Sequence, residues 1–287
     1  MPDVLLVTCA DWPDGEPEGH LLVEDLATRG IEAAWVRWDD PAVDWAGARL
    51  VAVRSVWDYE WRREEFLGWA GTVGPTLLNG ADVFAWNTDK SYLLDLERTS
   101  LPVVPTVVVD DESELAPAVA GFLPAVVKPR VAAGGRGLVV FDGEPGGPEG
   151  LDESMLGVGP WVVQPVVASV RDEGETSVFT FGGRVVSQVR KQPAAGEIRV
   201  HGSYGGRSAR VPVTEEAAAV ARTAVRVTEE LLGVPLAYAR VDLMRADDGS
   251  LLVSEIEATE PGFYLDLVPE NAAAFGATVA EVLGAAK

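Results

Sequence analysis

Two short segments near the C-terminal end restrict this chain most: Arg240-Val241-Asp242-Leu243-Met244, and Ser254-Glu255-Ile256-Glu257 running on through Ala258, Thr259, Glu260 and Pro261. Both read as strands, and alternation decides which side chains meet: Arg240 and Asp242 share one face of the first, Glu255 and Glu257 one face of the second. The connection at 246–250 contains Asp248-Gly249, a strong hairpin signal that makes the strands antiparallel neighbours. Three carboxylates then gather beside one arginine. Such a group repels itself unless a cation neutralises it, and an all-oxygen donor set suits magnesium holding a nucleotide phosphate.

The rest of the composition narrows the setting. With 287 residues, 47% of them hydrophobic, the chain can build a full core, and disorder is excluded. No run of about 18 apolar residues occurs, and the N-terminal stretch lacks the basic flank of a signal peptide, so a soluble, cytoplasmic protein is expected. One cysteine, Cys9, and two histidines, His20 and His201, leave no internal disulfide, no cysteine-built metal site and little for zinc. Cys9 closes an apolar strand and reads as a packed small residue. The formal net charge of −22 repels nucleic acid and anionic membranes, whose binding depends on phosphate neutralisation. Any phosphate bound here must meet a local exception to that charge. Apart from Lys287, the only lysines are Lys90, Lys128 and Lys191.

Along the chain, strands at 4–8, 31–38 and 50–55 alternate with helices at about 18–29 and 60–70, a βαβ rhythm that predicts a small parallel sheet with binding residues at its carboxyl edge. Arg54, Ser55, Trp57 and Tyr59 lie at such an edge. No Gly-X-Gly-X-X-Gly turn follows the first strand, which argues against a dinucleotide site there. A helix is expected over 88–98, capped by Thr88 or Asp89 with Lys90 in its first turn, then a strand at 103–109, a helix at 112–122 and a strand at 125–129. The glycine-rich 130–137 stretch, bounded by strands, reads as a flap rather than a phosphate loop of the Walker type. A connecting loop at 143–160, a strand at 161–167, a hairpin over 175–190, a polar loop at 192–210, a helix over 214–232 and a last helix at 270–285 complete the reading. The expected division is 1–84, 85–167 and 168–287.

Lys90 and Lys128 sit on or beside buried elements. Burying an ammonium without an anionic partner is costly, so both are assigned to nucleotide phosphates. Gly134, Gly135 and Gly137 leave the flap's backbone amides free to close over phosphates. Gln164 ends a buried strand where its amide can meet an adenine edge, and Glu175 opens the next strand where it can accept ribose hydroxyls.

Taken together, Lys90, Lys128, the glycine flap, Gln164, Glu175, Arg240-Val241-Asp242 and Glu255-Ile256-Glu257 resemble the ATP-grasp superfamily in its glutathione-synthetase and ribosomal-modification ligase branch, over about residues 85–267. The segments 54–59, 89–93 and 255–261 look most like the small actinobacterial ligases that include the cyclo-ligase closing D-cycloserine from O-ureidoserine. The resemblance implies an α/β and α+β architecture, with an N-terminal βαβ lobe and ATP held between two α+β subdomains. It further implies attack of a substrate carboxylate on the γ-phosphate and capture of the acyl phosphate by an amine, giving ADP and phosphate. Carried over, Lys90, Lys128, Gly134 and Gly135 hold phosphates, Gln164 and Val166 read adenine, and Glu175 binds ribose. Asp242, Glu255 and Glu257 ligate two magnesium ions, and Arg240 stabilises the transferring phosphoryl group. Many relatives place an asparagine where this chain has Glu257. Arg199, with Ser203 and Tyr204 nearby, aligns with the loop that holds the acceptor and the reactive carboxylate. Arg54, Ser55, Trp57 and Tyr59 form the other wall around an amino-acid head group.

In-line phosphoryl transfer needs charge neutralised on the equatorial oxygens, which metals and an arginine supply, and a carboxylate needs no base to be activated at neutral pH. The function expected is therefore an ATP-dependent, ADP-forming carboxylate–amine ligase acting on a small amino-acid-like substrate. Two rivals stand beside it: an intramolecular cyclo-ligase, and a non-catalytic nucleotide-binding regulatory protein. The sequence leaves the oligomeric state open, a homodimer included.

Overall fold

The apolar run at the start becomes β1 (Val4–Thr8), followed by α1 (His20–Thr28), β2 (Ala33–Arg37) and β3 (Leu50–Ser55). The three strands pair in parallel, with β1 in the middle, as the βαβ rhythm predicts. This computed structural model describes residues 2–143 and 159–285; the connection expected at 143–160 lies, apart from its ends, outside the described residues. A 3-10 turn at Tyr59–Trp61 leads into α2 (Arg63–Val73).

A helix that the sequence reading did not give, α3 (Ala81–Asn87), precedes the helix expected over 88–98, which is shorter, α4 (Tyr92–Glu97). Between them the Asp89 carboxylate accepts from the Ser91 amide and from the Arg130 guanidinium, which places Lys90 before the second helix rather than in its first turn. Anchors on either side fix this break. The Tyr92 hydroxyl and the Asn87 amide both bond the backbone of Ile256.

The middle of the chain forms β4 (Val107–Val109), α5 (Leu115–Ala120), β5 (Ala125–Pro129), β6 (Val139–Phe141) and β7 (Trp161–Pro165). These strands make an antiparallel sheet in the order β4-β7-β5-β6. The strand expected to begin at 103 is shorter, because its first residues pair elsewhere: Val104 donates to Val253, and Val253 donates to Pro102.

The last part supplies β8 (Glu175–Phe181), β9 (Arg184–Gln192), β10 (Arg207–Val211), α6 (Glu215–Leu232), β11 (Tyr238–Arg245), β12 (Leu251–Glu257) and α7 (Glu270–Ala285). Its sheet runs β10-β9-β8-β11-β12 and is antiparallel throughout. The expected polar loop at 192–210 ends in the edge strand β10. Helix α6 follows the sequence signals, with the Thr214 hydroxyl accepting from the Ala217 amide at its start and Gly233 in a left-handed conformation at its end.

One apolar core runs from Val7 and Val53 through Phe66 and Phe84 to Val178, Val241 and Val253. A second joins Leu22 and Leu26 of α1 to Phe263, Phe275 and Val279 beside α7. The parallel sheet and the five-stranded sheet therefore share their interior. The four-stranded sheet has its own core with α5, built from residues such as Val109, Leu115, Val127 and Val163. Between it and the five-stranded sheet lies a small apolar layer containing Val126, Val170 and Ile198, flanked by Leu138, Val166 and Met244. Among the described residues, no helix is long and apolar enough to cross a membrane.

Candidate active site

The register of β11 against β12 opposes Arg240 to Glu257 and Asp242 to Glu255, so strand alternation alone turns all four side chains to one face. One carboxylate oxygen from each of Asp242, Glu255 and Glu257 lies within 4.8 Å of the others. Around them stand four cations. Arg240 Nη2 lies 2.9 Å from Asp242 and also pairs with Glu257. Lys90 Nζ lies 3.1 Å from Glu255 and donates to the Ala132 carbonyl at 2.7 Å. Lys191 Nζ lies 3.0 Å from Asp242 and pairs with Glu175. Lys128, on β5, faces the same group from the opposite sheet and lines the same cavity.

Burial opposes charge on all of these groups, and the neighbours decide the outcome. Arg240 and Lys191 hold the buried Asp242 below the usual carboxylate range, and Lys90 and Lys128 do the same for Glu255. For Glu257, burial together with Asp242 and Glu255 prevails over Arg240 and pushes the carboxyl up to about 7. Burial pulls Lys128 below the ordinary lysine range against the attraction of Glu255. An anion arriving near Lys128 would shift it back up. Three close hard-oxygen donors with four cations around them fit a magnesium–phosphate group.

The network lines a cavity of about 860 Å³ between the four-stranded and five-stranded sheets. At one end its walls are apolar, from Val126, Leu138, Val166, Val170, Ile198 and Met244, a slot suited to a flat base. Gln164 is buried there, with Nε2 donating to Thr106 Oγ1 at 2.9 Å. The Val166 amide donates to the Pro124 carbonyl, so that N–H is already engaged. Glu175 is seated by the close approach of its neighbour, since a Cβ on Gly174 would lie 2.1 Å from the Lys191 carbonyl oxygen; its other oxygen accepts from Ser254 Oγ at 3.2 Å. Gly134 and Gly135 have φ of +61° and +74°, which glycine alone adopts without strain, and both line the cavity.

Arg199 and Ser203 line the cavity beside the flap. The Arg199 guanidinium bonds Glu197 at 2.5 Å and lies 3.7 Å from the centre of the Tyr204 ring, while its buried Nε has no partner. Tyr204 thus supports Arg199 from below and is not itself part of the lining. Trp57 and the buried Tyr59 line the opposite wall.

Arg54 and Ser55 require a correction. Arg54 is fully buried: its guanidinium bonds Glu16 at 2.7 Å and the Pro261 carbonyl at 2.6 Å, and lies 3.3 Å from the centre of the Phe263 ring. Ser55 Oγ donates to Thr8 Oγ1 at 2.7 Å, also without exposure. Both are still within β3, and only beyond its end does the chain reach the cavity.

Lys191 is the central residue to which the sequence assigned no role, although the scarcity of lysines marked it. Glu60 is another: its carboxylate accepts from the Ala133 amide at 2.8 Å and pairs with Arg136, tying the flap to the first part of the chain. Glu260, Trp12 and His201 also line the cavity, and no spacing rule selected them.

A family model for the N-terminal domain of D-cycloserine synthetase DcsG matches residues 4–79. The cycloserine biosynthesis protein DcsG of Streptomyces lavendulae is 33% identical over 277 residues, which cover 91% of this chain and 92% of that protein. The chain belongs to the DcsG family of ATP-grasp ligases. The crystal structure of D-cycloserine synthetase DcsG superposes with a TM-score of 0.85 at 31% identity, covering 98% of this chain and 99% of that one. A probable alpha-L-glutamate ligase of Xanthomonas axonopodis pv. citri (strain 306) is 29% identical over 70% of this chain and 64% of its own length. A RimK domain ATP-grasp protein from Sphaerobacter thermophilus DSM 20745 shares the fold, with a TM-score of 0.68 at 18% identity over 98% of this chain and 99% of that one. The chain is thus a ligase with the ATP-grasp fold that its late hairpin foreshadowed.

Proposed function

We propose that this DcsG-family ligase uses ATP and magnesium to activate the carboxylate of a small amino-acid-like substrate, and that a nitrogen of the same molecule then closes a ring. The observation that carries the activation step is the single convergence of Asp242, Glu255 and Glu257 with Lys90, Lys128, Lys191 and Arg240 on one wall of the cavity. Asp242, Glu255 and Glu257 would hold the metal, assigned as two ions, whose chemistry is to neutralise the phosphoryl oxygens. The base occupies the apolar slot beside Gln164 and Val166, and Glu175 faces the ribose.

Lys90, Lys128 and the Gly134–Gly135 backbone hold the phosphates, and Arg240 steadies the transferring group. A substrate carboxylate oxygen, oriented by Arg199 and Ser203, attacks the γ-phosphorus and ADP leaves. The nitrogen then attacks the acyl carbon, phosphate departs with the C–O bond electrons, and the nitrogen loses a proton. Likeness along the whole length to a protein named D-cycloserine synthetase supports ring closure. The alpha-L-glutamate ligases support joining of two substrates as the second reading, with the same nucleotide site.

Incubation with ATP, magnesium and single amino acids, followed by ADP release and product mass, separates these readings. Ring closure gives ADP and a cyclic product from one substrate, whereas joining gives a product carrying two. A protein that binds ATP yet forms no ADP with any carboxylate overturns both and favours a regulatory role.

A further inference from the structure

We propose that Glu197 is the positioning residue that fixes Arg199, holding its guanidinium in the orientation that receives the substrate carboxylate. This rests on the ligase reading above, in which Arg199 orients that carboxylate. Glu197 does not itself line the cavity, whereas Ile198, Arg199 and Val200 do, so it acts on a ligand only through its neighbours. Both of its carboxylate oxygens are engaged: Oε1 accepts from the Ile198 amide at 2.8 Å and the Arg199 amide at 3.0 Å, and Oε2 accepts from Arg199 Nη2 at 2.5 Å. One side chain thereby fixes the backbone and the head of the same arginine.

The loop around it keeps that geometry. The Glu197 amide donates to the Ala194 carbonyl at 3.0 Å, closing a turn that contains Gly196 at φ +82°. Ile198 is buried in the apolar layer with Val126 and Val170, which anchors the loop to the apolar end of the cavity. The centre of the Tyr204 ring lies 3.7 Å from Arg199 Cζ, and the flap approaches the stem, since a Cβ on Gly135 would lie 3.5 Å from Arg199 Cγ. The guanidinium is thus held at one corner by Glu197 and on one face by Tyr204. Its buried Nε has no partner among the described residues, a donor left over for an anion.

Charge alone disfavours an acid at this point. A carboxylate beside the receiver of a second carboxylate repels the ligand, in a chain whose net charge is already −22. The Arg199 guanidinium, with the amides of Arg199 and Ile198, holds the Glu197 carboxyl down to about 2, so the repulsion is present at neutral pH. Order is what offsets it: a free arginine samples many rotamers, and fixing it beforehand removes that loss when the substrate arrives. Removing the Glu197 charge therefore acts on binding in two opposed senses, relief of repulsion and loss of order. Only the loss of order acts on phosphoryl transfer, which requires the attacking carboxylate oxygen in line with the γ-phosphorus.

Glu197→Gln in the full chain tests this, because its amide oxygen can still accept from the Ile198 and Arg199 amides while the ion pair is lost. With ATP, magnesium and O-ureidoserine as the probe, kcat for ADP formation should fall about 10- to 100-fold, while KM for the probe moves much less and ADP affinity stays that of the wild type. In an Arg199→Lys background the same substitution should change kcat by no more than about twofold. In the NMR spectrum of labelled protein, the Arg199 Nε–H signal, identified by its loss in Arg199→Lys, should stand apart from the bulk arginine signal in the wild type and merge with it in Glu197→Gln. An unchanged kcat, an effect confined to KM, full multiplication of the two kcat losses in the double variant, or the same Nε–H signal in both proteins overturns the proposal. A wild type that forms no ADP with the probe or with any single amino acid removes the ligase reading instead, and the Nε–H comparison still decides whether Glu197 orders Arg199.

Discussion

Buried charges in this protein divide into two groups, and substitution separates them. Arg54 and Glu16 neutralise each other with almost no exposure, so Arg54→Met should leave a carboxylate buried without its partner and cost about 3–5 kcal/mol of stability. Urea unfolding would register this, and an unchanged midpoint would contradict it. Lys191 behaves differently because it shares Asp242 with the metal expected there. Lys191→Met should destabilise the metal-free protein, and magnesium should raise its melting temperature more than that of the wild type, since Arg240 alone then competes with the metal for Asp242. Equal magnesium shifts in the two proteins would count against that competition. Sequence reading reached Lys90, Lys128, Asp242, Glu255 and Glu257 because isolated lysines and paired acids are visible in one dimension. It misassigned Arg54 because alternation says which face a residue takes, but not whether that face meets solvent or Phe263.

At the level of elements, the pairing of β11 with β12 was readable, because period-two alternation and an Asp-Gly turn are local properties; the end of β12 at Glu257, short of the expected 261, and the register shift after Asp242 were not. The break between α3 and α4 was not. It arises from Arg130, Ile256 and Tyr92, which lie far apart in the chain and meet only in the fold. The flap is an intermediate case, with its glycines evident and its latch hidden. Glu60 accepts from the Ala133 amide and pairs with Arg136, so it ties the flap to a residue outside the four-stranded and five-stranded sheets. Charged hydrogen bonds of this kind contribute about 1.5–3 kcal/mol, and Glu60→Ala should raise the KM for ATP by about tenfold or more. Faster proteolysis within 130–137 should accompany it. An unaltered KM with an unaltered cleavage rate would mean that the glycine loop holds its position unaided.

Across the whole molecule, the distribution of apolar cores decides how the parts cohere. The parallel and five-stranded sheets share two cores and should open as one unit, because exposing either uncovers the interior of both. The four-stranded sheet has a separate core and meets the five-stranded sheet across the small layer around Val126, Val170 and Ile198. That layer also borders the cavity, so a bound nucleotide would add contacts to both sheets where protein contacts are fewest. Without nucleotide, amides of β5 and β7 should exchange their hydrogens faster than those of β8 and β11. ADP with magnesium at about 100 times its Kd should stabilise the nucleotide-binding form by about 2.7 kcal/mol, and the protection should fall mainly on β5 and β7. Hydrogen exchange with and without ADP distinguishes this from uniform stabilisation. Equal protection of all four strands before nucleotide is added would show that the thin apolar layer suffices to join the sheets, and that ATP enters a frame already closed.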